Sequence, residues 1–160
     1  MNKLIIPIVL IMMTHMLFAC TSTMKDITTV PSIKFAEATL TKRLYVKETT
    51  AVPIEPTLTF TTEDSEAISY IKLKNLAGEH ILRWDWIGPK GDIYSSSGDY
   101  VMRASRGRYR EEVVAWHRLS IRGDRASYSP GEWQIRIYLD GKLIIQKGFT
   151  IHNEKADEAH

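Results

Sequence analysis

Apolar residues recur at every second position through most of this chain, in short runs broken by Gly, Pro, Asp and Asn, and no stretch beyond residue 32 sustains a helical period. Alternation of this kind is what a strand needs when one face packs on a core and the other meets water. The clearest case is 132–139, where Trp133, Ile135, Ile137 and Leu139 share one face and Gln134, Arg136 and Tyr138 the other. A second strand at 143–151 places Leu143, Ile145, Phe149 and Ile151 together, and Asp140-Gly141-Lys142 joins the two. A two-residue Asp-Gly loop would set the two apolar faces on opposite sides of the sheet. The pattern therefore predicts a three-residue loop with a bulge at Gly141, pairing Leu139 with Leu143 and Ile137 with Ile145.

Upstream, Leu82, Trp84 and Trp86 alternate with Ile81, Arg83, Asp85 and Ile87, which puts both tryptophans on one buried face. Further strands are predicted near 33–46, 57–61, 67–74, 92–94 and 113–121. The expectation is an all-β fold, a single immunoglobulin-like antiparallel β-sandwich of about seven strands covering 33–151.

The amino terminus breaks this pattern. Lys3 is followed by sixteen uncharged residues, Leu4 to Ala19, the layout of a signal peptide; the run is short for a spanning helix and is interrupted by Pro7, Thr14 and His15. It closes on Leu17-Phe18-Ala19-Cys20, which resembles the lipobox of bacterial lipoproteins at Leu17, Ala19 and Cys20, with Phe18 where a small residue is usual. That resemblance implies cleavage after residue 19 and lipidation of Cys20, the only cysteine in the chain, so no disulfide contributes to the fold. Two or three acyl chains hold a protein stably at a bilayer where one does not. With Thr21 standing where an Asp would favour inner-membrane retention, the same resemblance implies an outer-membrane anchor facing the periplasm in a Gram-negative host.

The Thr- and Ser-rich stretch from Thr21 to Ser32, following the lipidated cysteine, reads as a flexible linker that could span up to ~40 Å when extended. The segment 152–160 reads as a polar tail. With 21 Lys+Arg against 19 Asp+Glu, and Lys3 removed with the signal peptide, the mature chain is close to neutral, which argues against nucleic acid as a partner.

Several residues also resemble an uncharacterised module of bacterial envelope proteins: Lys74-Asn75-Leu76, Trp84-Asp85-Trp86, Gly88-Pro89-Lys90-Gly91, Tyr94, Trp116, Leu119, and above all Pro130-Gly131-Glu132-Trp133 followed by Tyr138, Asp140-Gly141-Lys142-Leu143 and Phe149. The resemblance spans roughly 57–151. It implies an immunoglobulin-like sandwich and no known activity.

Catalytic signatures are missing: there is no Gly-x-Ser-x-Gly, His-Glu-x-x-His or phosphate-binding glycine loop, and the mature chain has only His80, His117, His152 and His160. His80 and His117 lack a second metal ligand at the usual spacing, and no cofactor is expected. Trp84, Trp86 and Trp133 read as core. Trp116 has two readings: facing outward beside Arg118, as a contact residue, or buried through a bulge before Leu119. The segment 95–112 carries Arg103, Arg106, Arg108 and Arg110 with Tyr109; at that length it reads as a contact loop or as a solvated excursion balanced by Asp99, Glu111 and Glu112. Arg122-Gly123-Asp124 spells an integrin-recognition tripeptide, yet Gly-Asp is ordinary turn chemistry. The functional expectation is a non-catalytic module held at the membrane through lipid on Cys20, binding or scaffolding an envelope protein. The alternative is a carbohydrate-binding lipoprotein that recognises a glycan of the peptidoglycan or surface polysaccharide.

Overall fold

A computed structural model describes residues 32–47 and 50–154, so the signal segment, the lipobox, Cys20 and most of the linker lie outside the described residues. Ten strands run in order: β1 Lys34–Lys47, β2 Thr50–Pro56, β3 Thr59–Thr61, β4 Glu66–Ala77, β5 Glu79–Ile87, β6 Ile93–Ser96, β7 Tyr100–Arg103, β8 Tyr109–Ser120, β9 Gly131–Leu139 and β10 Lys142–His152. A single 3-10 turn, Arg125–Tyr128, interrupts them. One sheet has the order β2-β1-β4-β8; the other has β3-β10-β9-β5-β6, with β7 also paired to β5. All pairings are antiparallel except β3 with β10. The architecture is the all-β sandwich that the alternation predicts. The count exceeds the expected seven because all eight strand positions read from the sequence are occupied and β2 and β7 join them: the segment 95–112 is not one long loop, but contains the end of β6, all of β7 and the start of β8.

The predicted hairpin register is half right. Asp140 and Gly141 both have positive φ, 52° and 77°, which makes a two-residue turn pairing Leu139 with Lys142 rather than with Leu143. The register then shifts between Leu143 and Ile145, which restores Ile137 opposite Ile145 and carries Phe149 opposite Trp133. The extra residue that the alternation demands is absorbed inside β10 instead of at the turn, and Leu143 is left exposed.

Trp84, Trp86 and Trp133 are all buried in the one core, with Ile71, Leu73, Leu119, Ile135, Ile137 and Phe149. Phe149 meets Trp86 edge-on at 5.7 Å between ring centroids, and Tyr94 closes on Trp133 at 5.0 Å. Gly131 explains the Pro-Gly-x-Trp element. Its φ is 137°, and a Cβ there would lie 3.3 Å from Cβ of Pro89, so only glycine lets β9 start against the 88–91 turn and deliver Trp133 inward.

A half-buried imidazole packs against the core. His117 of β8 stacks on Trp84 at 5.9 Å with 22° between the planes, and its Nδ1 accepts a hydrogen bond from Trp86 Nε1–H at 2.8 Å. Because an indole N–H can only donate, Nδ1 must be unprotonated, which places the proton on Nε2. Burial holds this imidazole below its ordinary value of 6.5.

Two predictions follow from this core. Gly131→Ala should destabilise the fold by about 1–3 kcal/mol, read as a lowered midpoint in thermal or urea unfolding. For His117 the unfolded chain takes up the proton first, so its contribution to stability is complete above about pH 6.5 and declines as pH falls below that value. His117→Gln, which keeps an acceptor for Trp86, should flatten the difference in unfolding free energy between pH 7 and pH 5; an unchanged slope would remove His117 as its source.

Candidate interaction surface

Strand β4 is buried on both faces, which the near-continuous apolar run from Ala67 to Leu73 allows. Ala67, Ile71 and Leu73 point into the core, whereas Ile68 and Tyr70 belong to the outer face and are still only 1% and 2% exposed. Two neighbours bring this about. On one side, β1 pairs with β4 through residues up to Thr41 and then with β2 from Thr41 onward. Thr41 ties the bend by donating to the carbonyls of Arg43 and Ile54. The hairpin then leans over the sheet, so that Thr50, Ala51 and Val52 line a cavity of about 550 Å³ with Lys72, Arg110, Glu112, Val113 and Val114, although β2 and β8 lie at opposite ends of the sheet order.

On the other side stands Trp116. Pairing of β8 with β4 runs without a register shift from Ser120 to Glu112, so there is no bulge before Leu119 and Trp116 faces outward directly opposite Tyr70. The outward reading of Trp116 therefore describes its direction, but the ring is half-buried rather than free. Arg118 lies on the same face, 3.6 Å from Glu66. Trp116, His117 and Arg118 line a shallow depression beside the free edge of β8.

The charges on this face are organised. Lys72 Nζ lies 3.3 Å from Glu112 and 3.9 Å from Glu37. The Glu112 hydrogen bond, helped by Tyr70, raises the Lys72 ammonium above its ordinary value. Burial likewise raises the Tyr70 phenol. Arg110, on the rim of the cavity, has no ion-pair partner among the described residues.

The predicted contact residues do not form one patch. Trp116, Arg118 and Arg110 lie on β8 of the four-stranded sheet, where Tyr109 opens the strand. Arg103 ends β7 in the other sheet and is held by Glu79 at 2.7 Å. Arg106 and Arg108 are exposed in the turn between the sheets, closed by the Arg108 N–H donating to the Ser105 carbonyl. The sequence reading missed Tyr70, Lys72 and the β2 residues of the cavity. The only signal for them was the near-continuous apolar run of β4.

Other sequence candidates have structural duties. His80 Nδ1 lies 2.7 Å from Asp140 and Nε2 lies 3.1 Å from the Ala77 carbonyl. Burial of the Asp140 carboxyl is outweighed by its hydrogen bonds with His80 and the Ile81 N–H, which hold it below its ordinary value. Asp85 is buried and accepts from Ser96 Oγ at 2.7 Å and from Arg83 at 3.3 Å. In the Arg122-Gly123-Asp124 turn, Gly123 is left-handed and the Asp124 carboxylate caps the 3-10 turn, accepting from the Arg125 N–H at 2.6 Å. Among the described residues no three His, Cys, Asp or Glu side chains converge to hold a metal ion, and no helix is long and apolar enough to cross a membrane.

No protein-family model and no curated protein matches this chain. Among solved structures it is similar to an immunoglobulin-like protein from Pseudomonas aeruginosa, at 11% identity and a TM-score of 0.48, covering 77% of this chain and 98% of that one. It is also similar to a Pseudomonas fluorescens alkylpurine DNA glycosylase, at 9% identity and a TM-score of 0.48, covering 75% of this chain and 30% of that one. A β-glucosidase from Listeria innocua overlaps 76% of this chain and 16% of its own length, at 9% identity and a TM-score of 0.44. None of these likenesses assigns a reaction or a ligand. What stands is an all-β sandwich of two sheets.

Proposed function

We propose that this protein is a lipid-anchored, non-catalytic module of the bacterial cell envelope that binds or scaffolds another envelope protein through the outer face of its four-stranded sheet. The observation that carries the reading is Trp116, turned outward and half-buried against Tyr70 beside the charged pair of Arg118 and Glu66. A tryptophan whose ring is already packed on one side loses little freedom on binding and still offers apolar area, and a neighbouring arginine supplies directed hydrogen bonds; such residues dominate the energetics of protein interfaces. The cavity beside it, whose rim carries Arg110 with no ion-pair partner among the described residues, extends the same face.

Anchoring rests on Leu17-Phe18-Ala19-Cys20 and on the linker behind it, which would let the sandwich stand clear of the headgroups. The glycan alternative is weaker on this geometry, because Trp84, Trp86 and Trp133 are in the core, Trp116 is half-buried, and the exposed tyrosines, Tyr45, Tyr100, Tyr109 and Tyr128, lie on four different elements.

Two measurements test the proposal. Cys20→Ser should abolish palmitate labelling and release the protein from membranes; continued membrane association would mean an uncleaved amino-terminal helix. A photocrosslinker at Trp116 or Arg118, in cells, should capture one discrete protein, distinct from a second copy of this chain, that a crosslinker at Tyr128, 84% exposed on the 3-10 turn, does not capture. Glycan alone at the β8 positions, or the same adducts from all three, would contradict it.

A further inference from the structure

A sandwich must guard its sheet edges, because each presents unpaired backbone N–H and C=O groups to any passing strand. Most edges here are guarded. β2 carries Pro53 and Pro56, which have no N–H to donate, and a left-handed Glu55 at φ 61°. β3 is three residues long, and β6 and β7 are four each. β8 is different: it runs twelve residues, contains neither proline nor glycine, and ends the order of its sheet. Its continuous register with β4 leaves the opposite edge straight and unbroken from Glu112 to Ser120.

We propose that this edge pairs with β8 of a second copy of the chain, antiparallel, around a two-fold axis through Ala115. The occupant is identified by charge. In an antiparallel pair, residues directly opposite lie on the same face, so the two-fold axis must pass through a residue of β8. Centred on Ala115, Glu112 lies opposite Arg118 of the second copy and Val114 opposite its Trp116, each twice by symmetry. On the inner side Val113 lies opposite His117. Centred on Val114, Arg110 would meet Arg118; centred on Trp116, Arg110 would meet Arg122. Of the centres from Val113 to Trp116 only Ala115 brings opposite charges face to face; a centre at His117 sets Glu112 against Arg122 and one at Glu111 sets Arg110 against Glu112, but these pair only residues 114–120 and 109–113 of the strand, whereas the Ala115 centre pairs 110–120.

The pairs already present extend the match. Lys72 lies on Glu112 and Glu66 on Arg118. The joined sheet would therefore carry, twice, a row of Lys72, Glu112, then Arg118 and Glu66 of the second copy, alternating in sign. Within one chain Glu112 and Arg118 are six residues apart along a strand, about 20 Å, too far to pair with each other. The result is one continuous eight-stranded sheet with two Trp116 rings on its outer face. This inference concerns the strand's edge and does not depend on the envelope partner or the anchor.

The test uses the full chain purified from membranes in detergent, with mass read by density-matched sedimentation equilibrium. Wild type should be dimeric. Glu112→Arg alone and Arg118→Glu alone each place two like-charge pairs across the axis and should weaken the dimer about tenfold or more. Mixing the two variants should restore it, because only the mixed pair sets opposite charges face to face at both positions. A monomeric wild type, a dimer indifferent to both reversals, or a mixture that stays monomeric while both variants melt cooperatively would overturn the proposal. Should a reversal prevent folding, Glu112→Gln and Arg118→Gln must each weaken the dimer instead, and a dimer unaffected by either would overturn it equally.

Discussion

One imidazole held between two indoles sets the orientation of everything this molecule shows to its surroundings on the four-stranded side. His117 stacks on Trp84 and accepts from Trp86, so a strand at the edge of one sheet is locked to a strand inside the other. Edge strands are otherwise the easiest elements to slip or twist, and a slip of one residue exchanges their two faces. With His117 fixed inward and half-buried, Ala115 and Leu119 are buried beside it, and Glu112, Val114, Trp116 and Arg118 are committed to the outside. An imidazole suits the position because it is flat enough to stack and neutral enough to bury, yet still accepts the indole hydrogen bond that a phenyl ring would leave unmet.

From that phase the outer face follows. Trp116 is placed opposite Tyr70, the β1–β2 hairpin leans in from the other side, and Ile68 and Tyr70 become a second buried layer outside the main core. The face is neither a plain solvated surface nor a closed one. It has a half-buried aromatic, alternating charges and a cavity under the hairpin. The lack of a guard on β8 is notable because the same chain places prolines on β2 and keeps β3, β6 and β7 short. Edge protection in this protein is selective.

Much of the fold was legible from period two alone. β9 alternates strictly and β5 does so from Leu82 to Trp86, and the placement of Trp84, Trp86 and Trp133 in the core needed no more than parity. What escaped did so for identifiable reasons. β2 contains two prolines and reads as a breaker, although a strand with one unpaired edge can hold them. β7 is four residues inside an arginine-rich stretch, too short to display a period. The compensating bulge of β10 is invisible because the sequence fixes only that one extra residue exists, not where the backbone stores it. Asn75, at φ 59°, breaks the alternation in β4, so that Leu73 and Leu76, three apart, both reach the core. Of the site, the direction of Trp116 and Arg118 was readable as one of two phases. The role of His117 was not, because a lone histidine has no sequence signal that distinguishes a buried acceptor from a surface residue.

The orientation of β8 rests on the state of that histidine. Imidazole nitrogen chemical shifts of His117, measured by NMR on the folded protein at neutral pH, report directly which ring nitrogen carries the proton. The geometry requires a neutral ring protonated at Nε2, with Nδ1 accepting a hydrogen bond and the Trp86 indole N–H protected from solvent exchange. A ring protonated at Nδ1, or a Trp86 indole that exchanges as freely as an exposed one, would mean that β8 is not held as described, and the outer face built on it would have to be abandoned.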